Sequence, residues 1–142
     1  GFNPKAWEMM FNEVPAENLG LEWEPGHQII QLIDPVAQLR QWVWKVIHMH
    51  GKDATVDMDA VRRLGVFGAH DFAPQRTPGF GDTNWRDIFS ILHEGGYESD
   101  ICVEGYHDPV YQGEWEMTAQ LHALHYLKWC RGGDFTPNPW DC

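Results

Sequence analysis

Three side chains able to bind a divalent cation, Glu24, His50 and Glu104, each stand at a break in the chain. Glu24 precedes Pro25-Gly26, His50 precedes Gly51, and Glu104 precedes Gly105. Each closes a short run with strand-like character, so each would be delivered to the C-terminal rim of a strand. Two carboxylates and an imidazole side by side suit Mn²⁺, Mg²⁺, Co²⁺ or Zn²⁺, because oxygen donors with one nitrogen match borderline-hard ions. Glu22, His48 and Cys102 lie two residues earlier on the same faces, one layer deeper. Taken singly, His50 is most simply a paired core histidine and Glu104 half of a buried salt bridge. Three strands ending the same way are much less easily explained so.

The elements that must position these residues can be read in order. Asn3-Pro4 has the grammar of a helix start, and Trp7, Met10, Phe11 and Val14 follow at helical spacing, with a stop near Glu13. Asn18 to Glu24 alternates and ends in a Pro25-Gly26 turn. Asp34-Pro35 opens a second helix with Val36, Leu39, Trp42 and Val43 on one side. The central strand follows Lys45, begins at Val46 and breaks at Gly51, so His48 and His50 would share one face and Ile47 and Met49 the other. Asp53 to Asn84 reads as a long irregular region with one short helix, Val56 to Leu64, and loops of that length are commonly functional. Trp85 to Glu94 is helical with Trp85, Ile88, Phe89 and Leu92 inward, and Ser99 to Glu104 is the third strand. The last helix spans about Glu114 to Trp129, with Trp115, Leu121, Leu124 and Leu127 as its apolar positions, and an irregular tail covers 133–142. Helix alternating with strand is the pattern of parallel βα units, whose functional residues gather beyond the strand C-termini.

Composition narrows the function classes. The 142 residues suffice for one domain with a real core, here one spanning 1–142, and eight tryptophans enrich it. A formal charge of -11 argues against nucleic acid or an anionic membrane as partner. No apolar run is long enough for a membrane span and no signal-peptide pattern opens the chain. Cys102, Cys130 and Cys142 lack framework or zinc spacing, so reduced thiols in a cytoplasmic protein are expected. His70-Asp71 are loop neighbours rather than a dyad, His122 and His125 belong to the last helix, Arg62-Arg63 is a solvated patch, and Gly79-Phe80-Gly81 is a turn.

Four segments together resemble one family: Leu21-Glu-Trp-Glu-Pro-Gly-His27, His48-Met-His-Gly-Lys-Asp53, Pro78-Gly-Phe-Gly-Asp-Thr-Asn-Trp85 and Val103-Glu-Gly-Tyr-His-Asp-Pro109. Their order and spacing are similar to those of the xylose isomerase-like (β/α)8 barrels, sugar and sugar-phosphate isomerases and epimerases. The resemblance implies an α/β chain forming strands six to eight of a TIM barrel, three parallel strands with about four main helices, incomplete alone. It implies metal ligands at Glu24, His50 and Glu104, with Glu24 standing where the family has aspartate. Glu104 would double as catalytic acid/base, and His27, Lys52, Asp53 and Arg76 would face substrate. The family's fourth ligand, a glutamate on an earlier strand, has no counterpart in the matched segments.

The implied function is a metal-dependent isomerase or epimerase acting on a sugar through an enediolate, with the 53–84 loop as substrate lid. An open parallel sheet needs the other half of its barrel, so that half is expected from another chain or copy, or the sequence is a fragment of a longer enzyme, and an associated species in solution is expected. Three alternatives stand beside it: a lyase or hydrolase of keto-glycosides, a phosphodiesterase of the endonuclease IV kind, and a non-catalytic half-barrel subunit. The nuclease reading fits poorly, since Gln75-Arg76 occupies the place of that family's extra histidine.

Overall fold

A computed structural model describes residues 3–105 and 107–132, so the expected irregular tail at 133–142 lies outside the described residues. Helix α1, Pro4–Glu13, starts where the sequence places it: the Asn3 side chain accepts from the Ala6 amide, and Pro4 occupies the first turn. It buries Trp7 edge-on against Trp42, with ring centroids 5.7 Å apart. Strand β1 is Leu21–Trp23, shorter than expected. Pro25-Gly26, read as a turn, instead begins a short helix, α2 (Pro25–Ile29), with Glu24 at its N-cap. Helix α3, Pro35–Trp42, is capped by Asp34, whose carboxylate accepts from the Val36 and Ala37 amides.

Strand β2, Val46–Gly51, is the centre of a three-stranded parallel sheet, flanked by β1 and by β5 (Ile101–Val103). Leu21 pairs with Val46 and Glu22 with His48, so Ile47 is an extra residue on β2. That bulge breaks the expected sharing of a face by Ile47 and Met49. Ile47 is 60% exposed, whereas Met49 is fully buried. Past the bulge the alternation is regular, and His48 and His50 are both half-buried.

The 53–84 region holds more structure than the sequence suggests. Strand β3 (Asp53–Ala54) pairs antiparallel with β4 (Gln75–Arg76), and helix α4 (Met58–Leu64) lies between them. Helix α5, Trp85–Glu94, is capped by Asn84 and buries Trp85, Ile88, Phe89, Ile91 and Leu92. Strand β5, Ile101–Val103, is again shorter than its expected range. Helix α6, Glu116–Arg131, follows a 3-10 turn at Gly113–Trp115.

The expected apolar stripe of α6 is corrected at three of its four positions. Ala119, Ala123 and Leu127 are buried, while Trp115, Leu121 and Leu124 are exposed. The helix runs so close to β2 that a Cβ on Gly51 would stand 3.0 Å from Leu127 Cδ1, so the glycine makes room for that leucine. The core of Trp7, Trp23, Leu39, Met49, Trp85 and Ile88 fills the space between sheet and helices. Each large side chain there contributes about 1.5–3 kcal/mol on burial. Among the described residues no helix is long and apolar enough to cross a membrane.

Candidate metal centre

The parallel register brings the strand ends together. His50 pairs with Cys102, and the Glu104 amide donates to Gly51 O at 2.9 Å, so Glu104 continues the ladder beside β2. Glu24 follows Trp23, which pairs with Met49, and so reaches the same rim from the other side. The result is a ring of carboxylates around one imidazole. His50 Nδ1 lies 3.1 Å from Glu104 Oε2, 3.3 Å from Glu22 Oε1 and 3.6 Å from Glu24 Oε2. The structure thus brings together all three expected ligands and adds Glu22, which sequence reasoning left one layer deeper.

Glu24 is 3% exposed, and among the described residues its Oε1 has no hydrogen-bond donor. His27 Nδ1 stands 3.0 Å from that oxygen but off the hydrogen-bond direction. Burial pushes the Glu24 carboxyl up to about 7; Lys52 pulls it down, and Glu104 and Glu22 push it further up. Glu104 is tuned the opposite way. Burial raises it, but the hydrogen bond and charge of Lys52, with His50 and His27, outweigh that and hold it below the usual carboxylate range. Lys52 is buried and donates to Glu104 Oε1 at 2.5 Å, so the ammonium is matched by a partner. His27, at the start of α2, is lowered by burial and then by Lys52, so its imidazole is neutral at neutral pH.

Such a donor set fits a divalent cation. Three carboxylates meet a single ammonium, and among the described residues one buried carboxylate oxygen lacks a donor. The ligand atoms of Glu22, Glu24 and His50 all lie within 4.8 Å of one another.

One residue expected to face substrate, Asp53, stands elsewhere. Asp53 is fully buried, and its carboxylate is taken up by the loop: Oδ1 accepts from the Ala54 and Thr83 amides and the Thr83 hydroxyl, Oδ2 from Trp85 Nε1. It anchors the start of α5, because a carboxylate with both oxygens used inside the protein has nothing left for a ligand. Burial raises its pKa despite those bonds. Gly81 passes so close to Asp53 that no Cβ would fit there.

Arg76 donates through Nε to Asp108 Oδ2 at 3.3 Å. Asp108 was missed in the sequence, although an aspartate directly before Pro109 is a turn signal. Its Oδ2 also accepts from the Thr77 amide and its Oδ1 from the Val110 and Tyr111 amides, tying the loop after β5 to the end of β4. Burial raises this carboxyl, but those bonds and Arg76 hold it low.

Comparison with known proteins agrees with the fold. A family model described as the xylose isomerase-like TIM barrel matches residues 1–129. An inosose dehydratase of Clostridium tetani is 29% identical over 92 residues, covering 63% of this chain and 31% of the relative. The rhizopine catabolism protein MocC of Rhizobium meliloti is 29% identical over 118 residues, covering 81% of this chain and 34% of the relative. The chain therefore spans about a third of the length of these curated relatives. The crystal structure of a xylose isomerase domain protein from Planctomyces limnophilus superposes with a TM-score of 0.64 at 23% identity, over 87% of this chain and 42% of that one. This chain belongs to the xylose isomerase-like TIM-barrel family.

Proposed function

We propose that this chain supplies the metal-binding side of an enzyme that removes a proton from the carbon beside the carbonyl of a polyhydroxylated ketone. The observation that carries the reading is the convergence of Glu22, Glu24 and Glu104 on His50, with Lys52 clamped to Glu104. A bound divalent cation would supply Lewis-acid polarisation of the carbonyl and an adjacent hydroxyl.

The residues divide the remaining work. Lys52 keeps Glu104 ionised at neutral pH and fixes its orientation through Oε1. Glu104 would take the proton from carbon. In a dehydration, the C–H and neighbouring C–O bonds break, a C=C bond forms, and the proton leaves with the hydroxyl as water. In an isomerase or epimerase, the same carboxylic acid returns the proton to another carbon or the opposite face. Dehydration is favoured by the relatives named inosose dehydratase, and isomerisation or epimerisation by the motifs of the sequence. His27, half-exposed beside Glu24, and Arg76 would bind substrate oxygens.

The reaction also needs enclosure. Among the described residues, strands β1 and β5 each pair on one side only, and the inner face between them bears Glu22 and Cys102, both exposed. The reading places the remaining barrel strands there, from more of the same polypeptide or from another chain.

Incubating the Mn²⁺- or Co²⁺-supplemented protein with an inosose or a ketose in D2O tests the reading. Deuterium should appear at the carbon beside the carbonyl, or water should be lost, and Glu104→Gln should abolish either. A metal-loaded protein that leaves both substrates protonated and unchanged would contradict it. Product identity separates dehydratase from isomerase.

A further inference from the structure

We propose that Asp108 is a positioning residue of the site: it holds Arg76 by Nε alone, so that the two terminal nitrogens of the guanidinium stay free to bind substrate oxygens. This role rests on the proton-abstraction reading above and deepens it. It gives the loop after β5 a residue that acts on substrate only through Arg76.

The Arg76 side chain is 19% exposed, and that of Asp108 is wholly buried. An arginine that serves only to tie two loops together spends its fork on the carboxylate, as two parallel N–H bonds to two oxygens. Here the contact is single. Nε donates to Oδ2 at 3.3 Å, and among the described residues Nη1 and Nη2 make no hydrogen bond. The carboxylate itself dictates this. Oδ1 is taken by the Val110 and Tyr111 amides and Oδ2 also by the Thr77 amide, so neither oxygen has room for the fork. Backbone amides thus fix the orientation of Asp108, and Asp108 in turn fixes Arg76.

Ring contacts limit where the fork can point. Tyr111, whose amide Asp108 binds, stacks on Phe80 with centroids 4.4 Å apart, and Arg76 Cζ stands 6.0 Å from the centroid of the same ring. Asp108, Tyr111, Phe80 and Arg76 therefore close a cycle with the guanidinium held at one edge and beside one face. The cycle lies against the strand end that carries Glu104. Gly105 follows Glu104, and a Cβ on it would stand 3.6 Å from Oγ1 of Thr77, the residue after Arg76. On the other side, Arg76 pairs with Asp53, the residue after Lys52, whose ammonium donates to Glu104. Arg76 is thus one residue away from both segments that frame the proposed base.

Steady-state kinetics of deuterium exchange or water loss on the Mn²⁺-supplemented protein test the assignment in wild type, Asp108→Asn, Arg76→Met and the double variant. Far-UV circular dichroism is the folding control. Asparagine keeps one oxygen for the Val110 and Tyr111 amides and turns an NH2 toward Arg76 and the Thr77 amide, so it breaks the link while sparing the turn. Asp108→Asn should raise KM about tenfold with kcat within about twofold, as loss of binding common to substrate and transition state does. In the Arg76→Met background it should add nothing further. A KM within about twofold of wild type overturns the assignment. So does a loss that adds to that of Arg76→Met, since Asp108 would then act on the fold alone. Should Asp108→Asn fail to fold, Arg76→Lys decides. Its ammonium pairs with Asp108 but offers no fork, so KM should again rise about tenfold, and a wild-type KM overturns the assignment. A folded, metal-loaded wild-type protein that turns over neither substrate overturns the proton-abstraction reading together with this one. An active wild type beside an unaffected Asp108→Asn overturns the role of Asp108 alone.

Discussion

Glu24, just past β1, and Asp53, at the start of β3, are two acids buried almost equally, and they are satisfied in opposite ways. Asp53 accepts four hydrogen bonds and has no oxygen to spare. Glu24 has one oxygen with no donor and sits among like charges. Burial raises both pKa values. Hydrogen bonding, more than depth, therefore separates an acid that holds the fold from an acid that awaits a ligand.

The contrast can be broken most severely at Asp53. Asp53→Ala orphans the Thr83 and Trp85 donors and should cost about 3 kcal/mol, read as a lower urea midpoint at unchanged slope. Glu24→Gln should leave the metal-free urea midpoint nearly where it is, because no donor loses a partner, but should weaken Mn²⁺ binding about a hundredfold in calorimetry. If the two substitutions cost equal stability, the distinction between the two acids fails.

The pH dependence sharpens the same point. The Glu24 carboxyl is raised to about 7 in the metal-free fold, above its ordinary value of 4.5. Its contribution to stability is therefore fully present below 4.5 and lost as pH rises through about 7. A cation must displace that proton, so affinity should fall about tenfold per pH unit below 7 and flatten above it. Calorimetry in buffers of different ionisation enthalpy should count about one proton released at pH 6. The smallest effect is expected for Thr83→Val, which removes one of the four Asp53 donors and should cost about 1 kcal/mol in urea with no change in metal binding.

Much of the positioning was legible in the sequence because it is local. Asn3, Asp34 and Asn84 each cap the helix that follows, as short polar side chains at helix starts do. The rim positions of Glu24, His50 and Glu104 follow from strands that end at Pro25, Gly51 and Gly105. What escaped depends on partners distant in sequence. The Ile47 bulge is visible only once β1 is paired, and with it the nearness of Glu22. The face that α6 buries, Ala119, Ala123 and Leu127, depends on where the helix docks, which apolar counting along the helix ignores. Asp53 looked like a substrate residue because it adjoins Lys52, and only the return of Thr83 and Trp85 shows it to be a loop anchor. Two-residue strands such as β3 and β4 carry too little pattern to read.

The central claim is that these strand ends hold a divalent cation. Native mass spectrometry with elemental analysis of the purified protein tests it most directly. The account predicts about one Mn, Co, Zn or Mg per chain, lost in His50→Ala while the circular dichroism spectrum is retained. A wild-type protein that stays metal-free after incubation with these ions and gentle desalting, or a His50→Ala variant that keeps its metal, would contradict it.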